Sequence, residues 1–353
     1  MTTTTEQPRL EIYDLYCGIG GWTCGAISYL KENNITDAYL YGVDENQEAL
    51  GLWKKNVEAA GFECETHPVH IDRNFKFPDQ RPNLIMLMSP PCTPHSKAKS
   101  LSGGPTPEEA KEGALQLRLC LDAIATKGYT RFALENVSVE GVTKIVDEFK
   151  ASRPYQIAHH TLDAANFGVP SSRSRLVVST PAVTHALKNA PVVQRSVAQA
   201  FADRGKTPRG KQIRNANRST PNFRRIEGPS YTVVASHPLV WANNDESNGV
   251  LEPDESAILM SFPDWWDWKA ETKVKTLLGV GNAVAPLFAQ AVVKALMGAD
   301  TGGQLVLTGD EGNVRNIPEE IMAEVQSLKR QLAEVIADVK RLKRRSGDGS
   351  GDE

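Results

Sequence analysis

The sequence predicts a doubly wound α/β domain, and two features of residues 10–180 carry that expectation. Short apolar runs, partly β-branched or aromatic, recur along it: LEIYDLY, AYLYGV, NLIMLM, RFAL and RLVV. Between them lie amphipathic stretches such as EALGLWKKNVEAAGF and EGALQLRLCLDAIATKGY. Buried parallel strands joined by crossover helices produce this alternation. The 353 residues set a prior of about two domains. With 40% apolar and 24% charged residues, collagen-like, mucin-like and wholly disordered classes are excluded. No run of about 18 apolar residues is present, so no membrane-spanning helix is expected. The opening MTTTTEQPRL lacks the basic-then-apolar order of a secretory signal. Cys17, Cys24, Cys64, Cys92 and Cys120 form an odd, sparse set that fits free thiols in a reducing compartment.

The first strand ends in Asp14-Leu-Tyr16-Cys-Gly18-Ile-Gly20-Gly21, after which a helical stretch begins. Glycines there let the backbone approach a ligand ahead of a helix N-terminus. The second strand ends at Asp44, where a carboxylate accepts from both hydroxyls of a ribose. Together these point to an adenosine-containing cofactor, while the spacing differs from the dinucleotide-binding G-x-G-x-x-G. A third strand-like run precedes HIDRN, which contains Asp72. The next buried strand emits Ser89-Pro90-Pro91-Cys92, two prolines fixing the backbone where a thiol is presented. A thiolate there is a nucleophile once its pKa is lowered or a partner takes its proton. Glu135-Asn136-Val137 ends the following strand, and a carboxylate in that position is costly unless it serves a site. Arg173 and Arg175 enter the last strand of the region. They are expected to point to opposite faces, one toward the site and one tying down structure or phosphate.

Residues 181–228 carry ten Lys and Arg against Asp203 and Glu227, a local surplus of +8. The whole chain is −3, which leaves −11 for the remainder. This segment is expected to offer phosphate-binding cations, among them Arg209, Lys211, Arg214, Arg218, Arg224 and Arg225. From Ile321 to Leu342 apolar residues fall at alternating steps of four and three, a heptad that predicts a helix over 317–345, either self-associating as a coiled coil or docked on its own domain. SGDGSGDE, the end of the chain, has the composition of a disordered tail, and residues 1–9 are expected to be flexible.

Taken in order, these motifs resemble the DNA cytosine-5 methyltransferase family. The glycine turn at 16–21, Pro-Pro-Cys at 90–92, Glu-Asn-Val at 135–137 and Arg-x-Arg at 173–175 follow its sequence of blocks. Two later blocks match as well: Pro229-Ser-Tyr-Thr-Val with 251–264, and Gly281-Asn282-Ala-Val284. The resemblance implies a Rossmann-like domain dependent on S-adenosyl-L-methionine, with a small target-recognition lobe. It implies methylation of carbon 5 of cytosine in double-stranded DNA, with Cys92 attacking carbon 6 of a flipped-out base and Glu135, Arg175 and Arg173 engaging or supporting the ring. Asp14, Tyr16, Gly18, Gly20, Gly21, Asp44, Asp72, Pro90, Asn282 and Val284 are then expected at the cofactor. Asn136 is expected to order the Cys92 loop. Ser96, Lys97 and Lys99, beyond Cys92, join the basic residues of 181–228 as DNA contacts. No metal is implied.

The expected division is a catalytic domain over 10–180 and 272–300, a lobe over 181–271, and the heptad helix. A cytoplasmic, nucleoid-associated enzyme of a bacterium or phage, without membrane contact, follows from the resemblance. The chain departs from the family at Ser171, Val250, Glu252, Met260 and Gly279, none of which is a bond-making position. Two other readings are a tRNA methyltransferase of the same family and a non-catalytic DNA-binding scaffold.

Overall fold

The computed structural model describes residues 9–91, 106–152, 157–215, 222–234, 239–243 and 246–299. Cys92, Ser96, Lys97, Lys99, Arg218 and the heptad over 317–345 lie outside the described residues.

A seven-stranded sheet organises residues 10–179, with strand order β3-β2-β1-β4-β5-β7-β6. Its strands are β1 (Leu10–Leu15), β2 (Ala38–Asp44), β3 (Glu63–Pro68), β4 (Leu84–Met88), β5 (Phe132–Val137), β6 (Ala158–Asp163) and β7 (Ser174–Ser179). β4 is buried throughout because it is covered on both faces. Ile85 and Leu87 face one core cluster, while Leu84, Met86 and Met88 face the other. The first cluster receives Trp22, Ile27 and Leu30 of α1 (Gly21–Glu32), Trp53 and Val57 of α2 (Gln47–Ala59), and Phe288 and Val292 from near the end of the described chain. The second receives Leu117, Leu121 and Ile124 of α3 (Pro107–Lys127) and Val142, Val146 and Phe149 of α4 (Glu140–Ser152). Local chemistry fixes the ends of α3: Thr106 and Glu109 form a reciprocal capping box, Pro107 opens the helix, and Gly128 closes it in the left-handed region.

The five strands β1 to β5 are mutually parallel where they pair. The expectation of parallel strands throughout is corrected at β7, which runs antiparallel to both β5 and β6. The link over 164–173 holds one 3-10 turn, too short for the crossover a parallel return requires. β6 itself is an addition to the expected elements. Like β3 it lies at a sheet edge, and its residues AHHTLD are mixed in polarity because one side meets solvent.

Beyond β7 come α5 (Pro181–Lys188) and α6 (Val197–Ala202), then β8 (Gln212–Asn215), β9 (Phe223–Arg225), β10 (Leu239–Asn243) and β11 (Glu246–Val250). These last four form a separate antiparallel sheet, ordered β11-β10-β8-β9. Buried Trp241 of β10 meets Phe201 of α6 edge-on at 5.3 Å between ring centres. The helices α7 (Pro253–Leu259), α8 (Lys273–Asn282) and α9 (Pro286–Gly298) follow. Lys273–Gly298 is long and apolar enough to cross a membrane. Extended backbone at Ala283 divides it into α8 and α9, and α9 packs on α1.

The +8 surplus over 181–228 is partly offset by carboxylates from elsewhere in the chain. Arg204 pairs with Asp264 and donates to the Phe262 carbonyl, Lys206 pairs with Asp254, and Arg195 pairs with Asp203. Arg209 donates through Nε to Glu255 at 2.8 Å and through a second nitrogen to the Val250 carbonyl at 2.7 Å. Arg224 donates to the Ser230 carbonyl at 2.9 Å and lies 4.3 Å from the Tyr231 ring centre. Carboxylates of α7 and of the loop after it offset three of these charges, on Arg204, Lys206 and Arg209. Among the described cations of this stretch, Lys188, Lys211, Arg214, Arg224 and Arg225 have no carboxylate partner. Arg209, expected among the DNA contacts, is engaged by Glu255 and the Val250 carbonyl.

Because the Glu255 carboxylate is 8% exposed, Arg209→Ala leaves a nearly buried charge unpaired. It should lower unfolding free energy by about 1–3 kcal/mol in denaturant titrations, whereas Arg225→Ala, at an exposed position, should stay within about 0.5 kcal/mol.

Candidate active site

Parallel strands place their carboxyl ends along one edge of the sheet, where open α/β folds bind ligands. Tyr16, Asp44, Ser89 and Glu135–Val137 all reach that edge. The reversal of β7 adds its amino end, so Arg175 lies opposite Val137.

One half of the edge is the glycine turn. Tyr16, Gly18 and Gly20 have positive φ of 61°, 50° and 86°, and Gly20 immediately precedes α1. A side chain at Gly20 would strike the rings of Trp266 and Trp53, and one at Gly21 would strike the Val284 carbonyl oxygen. These positions are therefore closed from behind. Trp266 Nε1 donates to the Ile19 carbonyl at 2.9 Å, holding the turn from a residue nearly 250 positions away. Gly18 is different: no atom lies within 4 Å of where its Cβ would sit. Its N–H donates to Asp44 Oδ2 at 2.8 Å, and the other Asp44 oxygen accepts from the Asn46 N–H. Burial raises the Asp44 carboxyl against the pull of those two bonds.

Asp14 lies behind this turn. It is 0% exposed, and Oδ2 accepts from both the Thr23 hydroxyl, at 2.6 Å, and the Thr23 N–H. Trp53 Nε1 donates to the same hydroxyl at 2.8 Å. The expected cofactor contact is thus corrected: the Asp14 carboxylate faces inward and fastens the turn to α1. Burial pushes its pKa up to about 7, partly countered by the Thr23 bonds. Val284 backs Gly21, and Asn282 is exposed at the end of α8. Asp72 accepts from the backbone and side-chain amides of Asn74, which lower its pKa.

The other half holds Glu135 and Arg175, their side chains 9% and 11% exposed, with Arg175 Nε 2.6 Å from Glu135 Oε1. Asn136, 1% exposed, donates through Nδ2 to the Pro90 carbonyl at 3.1 Å. That bond ties the chain entering Cys92 to the end of β5. Arg173 is also buried, but it donates to the carbonyls of Val233 and Ala283 at 3.1 and 2.9 Å. The two arginines do separate, although strand alternation is not the cause, since residues two apart share a face. They part because β7 begins at Ser174, leaving Arg173 in the preceding loop.

The other four thiols are not candidates for attack. Burial raises Cys64 to about 11 and Cys120 to about 12, and Cys17 and Cys24 well above the ordinary range. No group of three or more metal-ligating side chains occurs among the described residues.

A sequence profile of C-5 cytosine-specific DNA methylases matches residues 10–199, more than half the chain. The chain belongs to that family. It is accordingly a DNA cytosine-5 methyltransferase that uses S-adenosylmethionine. Among curated relatives it is 24% identical to the type II methyltransferase M.AplI of Arthrospira platensis, across 82% of this chain and 86% of that one. Identity to M.BspRI of Lysinibacillus sphaericus is 22%, across 82% of each. Its fold matches a prophage-encoded E. coli protein described as a DNA modification methyltransferase (TM-score 0.53, 17% identity, 82% and 98% coverage). It also matches the S. pombe Dnmt2 methyltransferase (TM-score 0.52, 14% identity, 82% and 98% coverage).

The turn suits this cofactor. Open space before Gly18 lets a ligand approach the backbone, and the Asp44 carboxylate stands beside it as an acceptor for hydroxyls. Thr23, Trp53 and Trp266, which fasten the turn, carried no motif; the aromatic run DWWDW was the only trace of the last.

The folded-state pKa of Asp14 exceeds its unfolded value near 3.8. The protonated carboxyl therefore favours folding at low pH, and that contribution is lost as pH rises toward about 7. Relative to Asp14→Asn, the native chain should lose up to about 4 kcal/mol of unfolding free energy across that window. Denaturant titrations at several pH values measure the difference.

Proposed function

We propose that this enzyme methylates a cytosine flipped out of duplex DNA, with Cys92 as the nucleophile at carbon 6. The Glu135–Arg175 pair at the edge to which Asn136 ties Pro90 carries the reading. Carbon 5 of cytosine is a weak nucleophile; adding a thiolate at carbon 6 converts the ring to an enamine and activates it. The new carbon–sulfur bond pushes electron density onto the ring, and Glu135 and Arg175 stand as the acceptor and donor that hold its polar edge. S-adenosylmethionine supplies the electrophilic methyl group. Proton removal from carbon 5 and expulsion of the thiolate then restore the aromatic ring. Arg173 supports the site through the carbonyls it binds.

The cofactor reading places S-adenosylmethionine against Tyr16, Gly18 and Asp44, with Asp72, Pro90 and Asn282 around it. The lobe over 181–271 takes the DNA, with Lys211, Arg214 and Arg225 as phosphate contacts and Ser96, Lys97, Lys99 and Arg218 as further candidates from the sequence. Phosphate contacts position a protein without conveying base identity. Residues 321–342 join two copies through the heptad.

Incubation with cofactor and DNA containing 5-fluorocytosine should trap a covalent complex, since fluorine cannot leave as a proton does. Cys92→Ala should abolish the complex while retaining DNA binding. Glu135→Gln should slow methylation by about 100-fold or more. No trapped complex with the native enzyme on diverse DNA would overturn the covalent route, and trapping on tRNA alone would overturn the duplex substrate. Sedimentation should show a smaller assembly when the chain is truncated after residue 316; an unchanged assembly state would sink self-association.

A further inference from the structure

His70 lies between β3 and β4 and opens the HIDRN stretch, two residues before Asp72. Its ring sits between two carboxylates. Nδ1 is 2.8 Å from Glu45 Oε2, directly after β2, and Nε2 is 3.5 Å from Glu112 Oε1 on α3. Gln116, one turn further along α3 and 1% exposed, joins the same cluster. Its amide nitrogen is 2.5 Å from Glu112 Oε1 and 3.3 Å from His70 Nε2. Its amide oxygen accepts from the Tyr16 hydroxyl. Tyr16 opens the glycine turn in the left-handed region. A continuous polar chain therefore runs from an exposed imidazole to the residue that begins the cofactor turn.

We propose that His70 is a positioning residue for S-adenosylmethionine binding. Protonated, it ties Glu45 to Glu112, whose carboxylate accepts from the Gln116 amide, and Gln116 in turn accepts from the Tyr16 hydroxyl. The inference rests on the cofactor placement proposed above.

A charged imidazole donates from both nitrogens and so meets a carboxylate on each side. A neutral ring keeps one donor, and Glu45 and Glu112 then lose the positive charge between them. Like charges on α3 and just after β2 no longer have a common partner, and the Glu112 carboxylate that accepts from Gln116 loses its counter-charge. The charged groups facing the ring are Glu45 from the end of β2, Glu112 from α3 and Asp72 from its own segment. The hydrogen bond to Glu45, followed by the charges of Glu45 and Glu112, holds the imidazole above its usual 6.5. Protonation of His70 and cofactor binding should consequently favour one another.

The test is calorimetric binding of S-adenosylhomocysteine to the full chain between about pH 6 and about pH 9, which spans a raised histidine pKa. Affinity of the native protein should fall about tenfold as pH rises, the equivalent of about one pKa unit of coupling. His70→Gln, at an exposed position, should bind weakly and lack the part of the fall that the native protein owes to the imidazole, leaving only the change that Asp14, at about 7 behind the turn, gives both proteins. Glu112→Gln should move the fall to lower pH, because one of the carboxylates that raise the imidazole is gone. Parallel profiles for the native protein and His70→Gln would overturn the role. Asp44→Ala separates this from the cofactor placement. Lost binding there together with an unaltered His70→Gln profile rejects His70 alone. Undiminished binding by Asp44→Ala rejects the placement and the role of His70 with it.

Discussion

The reversal of β7 is the constraint on which the reacting half of the molecule depends. Arg175 stands at the start of its strand and Glu135 near the end of another. Only antiparallel neighbours bring a start beside an end. A parallel β7 of the same six residues would carry Arg175 to the far edge of the sheet, about 17–20 Å away. The short link after β6 imposes the reversal, and Asp163 stabilises it by accepting from the Arg173 N–H and the Ser172 hydroxyl. Arg173 then bolts the same link to the chain near Val233 and Ala283. The pair of arginines divides its labour by backbone position: one inside the ladder at the site, the other just outside it as an anchor.

The cofactor half is built on a different economy. Its turn makes few contacts of its own, and what rigidity it has comes from groups buried behind it. Thr23 is the centre of that arrangement, giving its hydroxyl proton to Asp14 while accepting from Trp53. Trp266 and Val284 press on the turn from elsewhere in the chain. The open side before Gly18 is left for a ligand because the opposite side is filled by large rings.

What was legible in the sequence were residues whose role is tied to a strand's end. Asp44, Glu135 and Asn136 stand where an apolar run stops, so pattern and position give them together. The edge strands were harder, because one face of β6 meets solvent and its composition has no apolar run. Charge was misleading for a related reason. Local surplus along the chain says nothing of carboxylates folded against it from elsewhere, and Arg204, Lys206 and Arg209 find theirs 46 to 60 residues away. His70, Gln116, Trp53 and Trp266 were invisible as a group. Each is unremarkable in its own stretch and acquires meaning only through contacts spanning 30 to 247 positions.

The closure of the turn by Trp266 and Val284 has a consequence for how the enzyme comes into being. A ribosome that has delivered everything through Arg175 has already made the nucleophile, the carboxylate and the arginine that define the chemistry. At that moment Gly20 and Gly21 still face water where Trp266 and the Val284 backbone will later sit, and Ile19 lacks its donor. The nascent chain thus carries its reactive groups well before it owns a finished seat for the methyl donor.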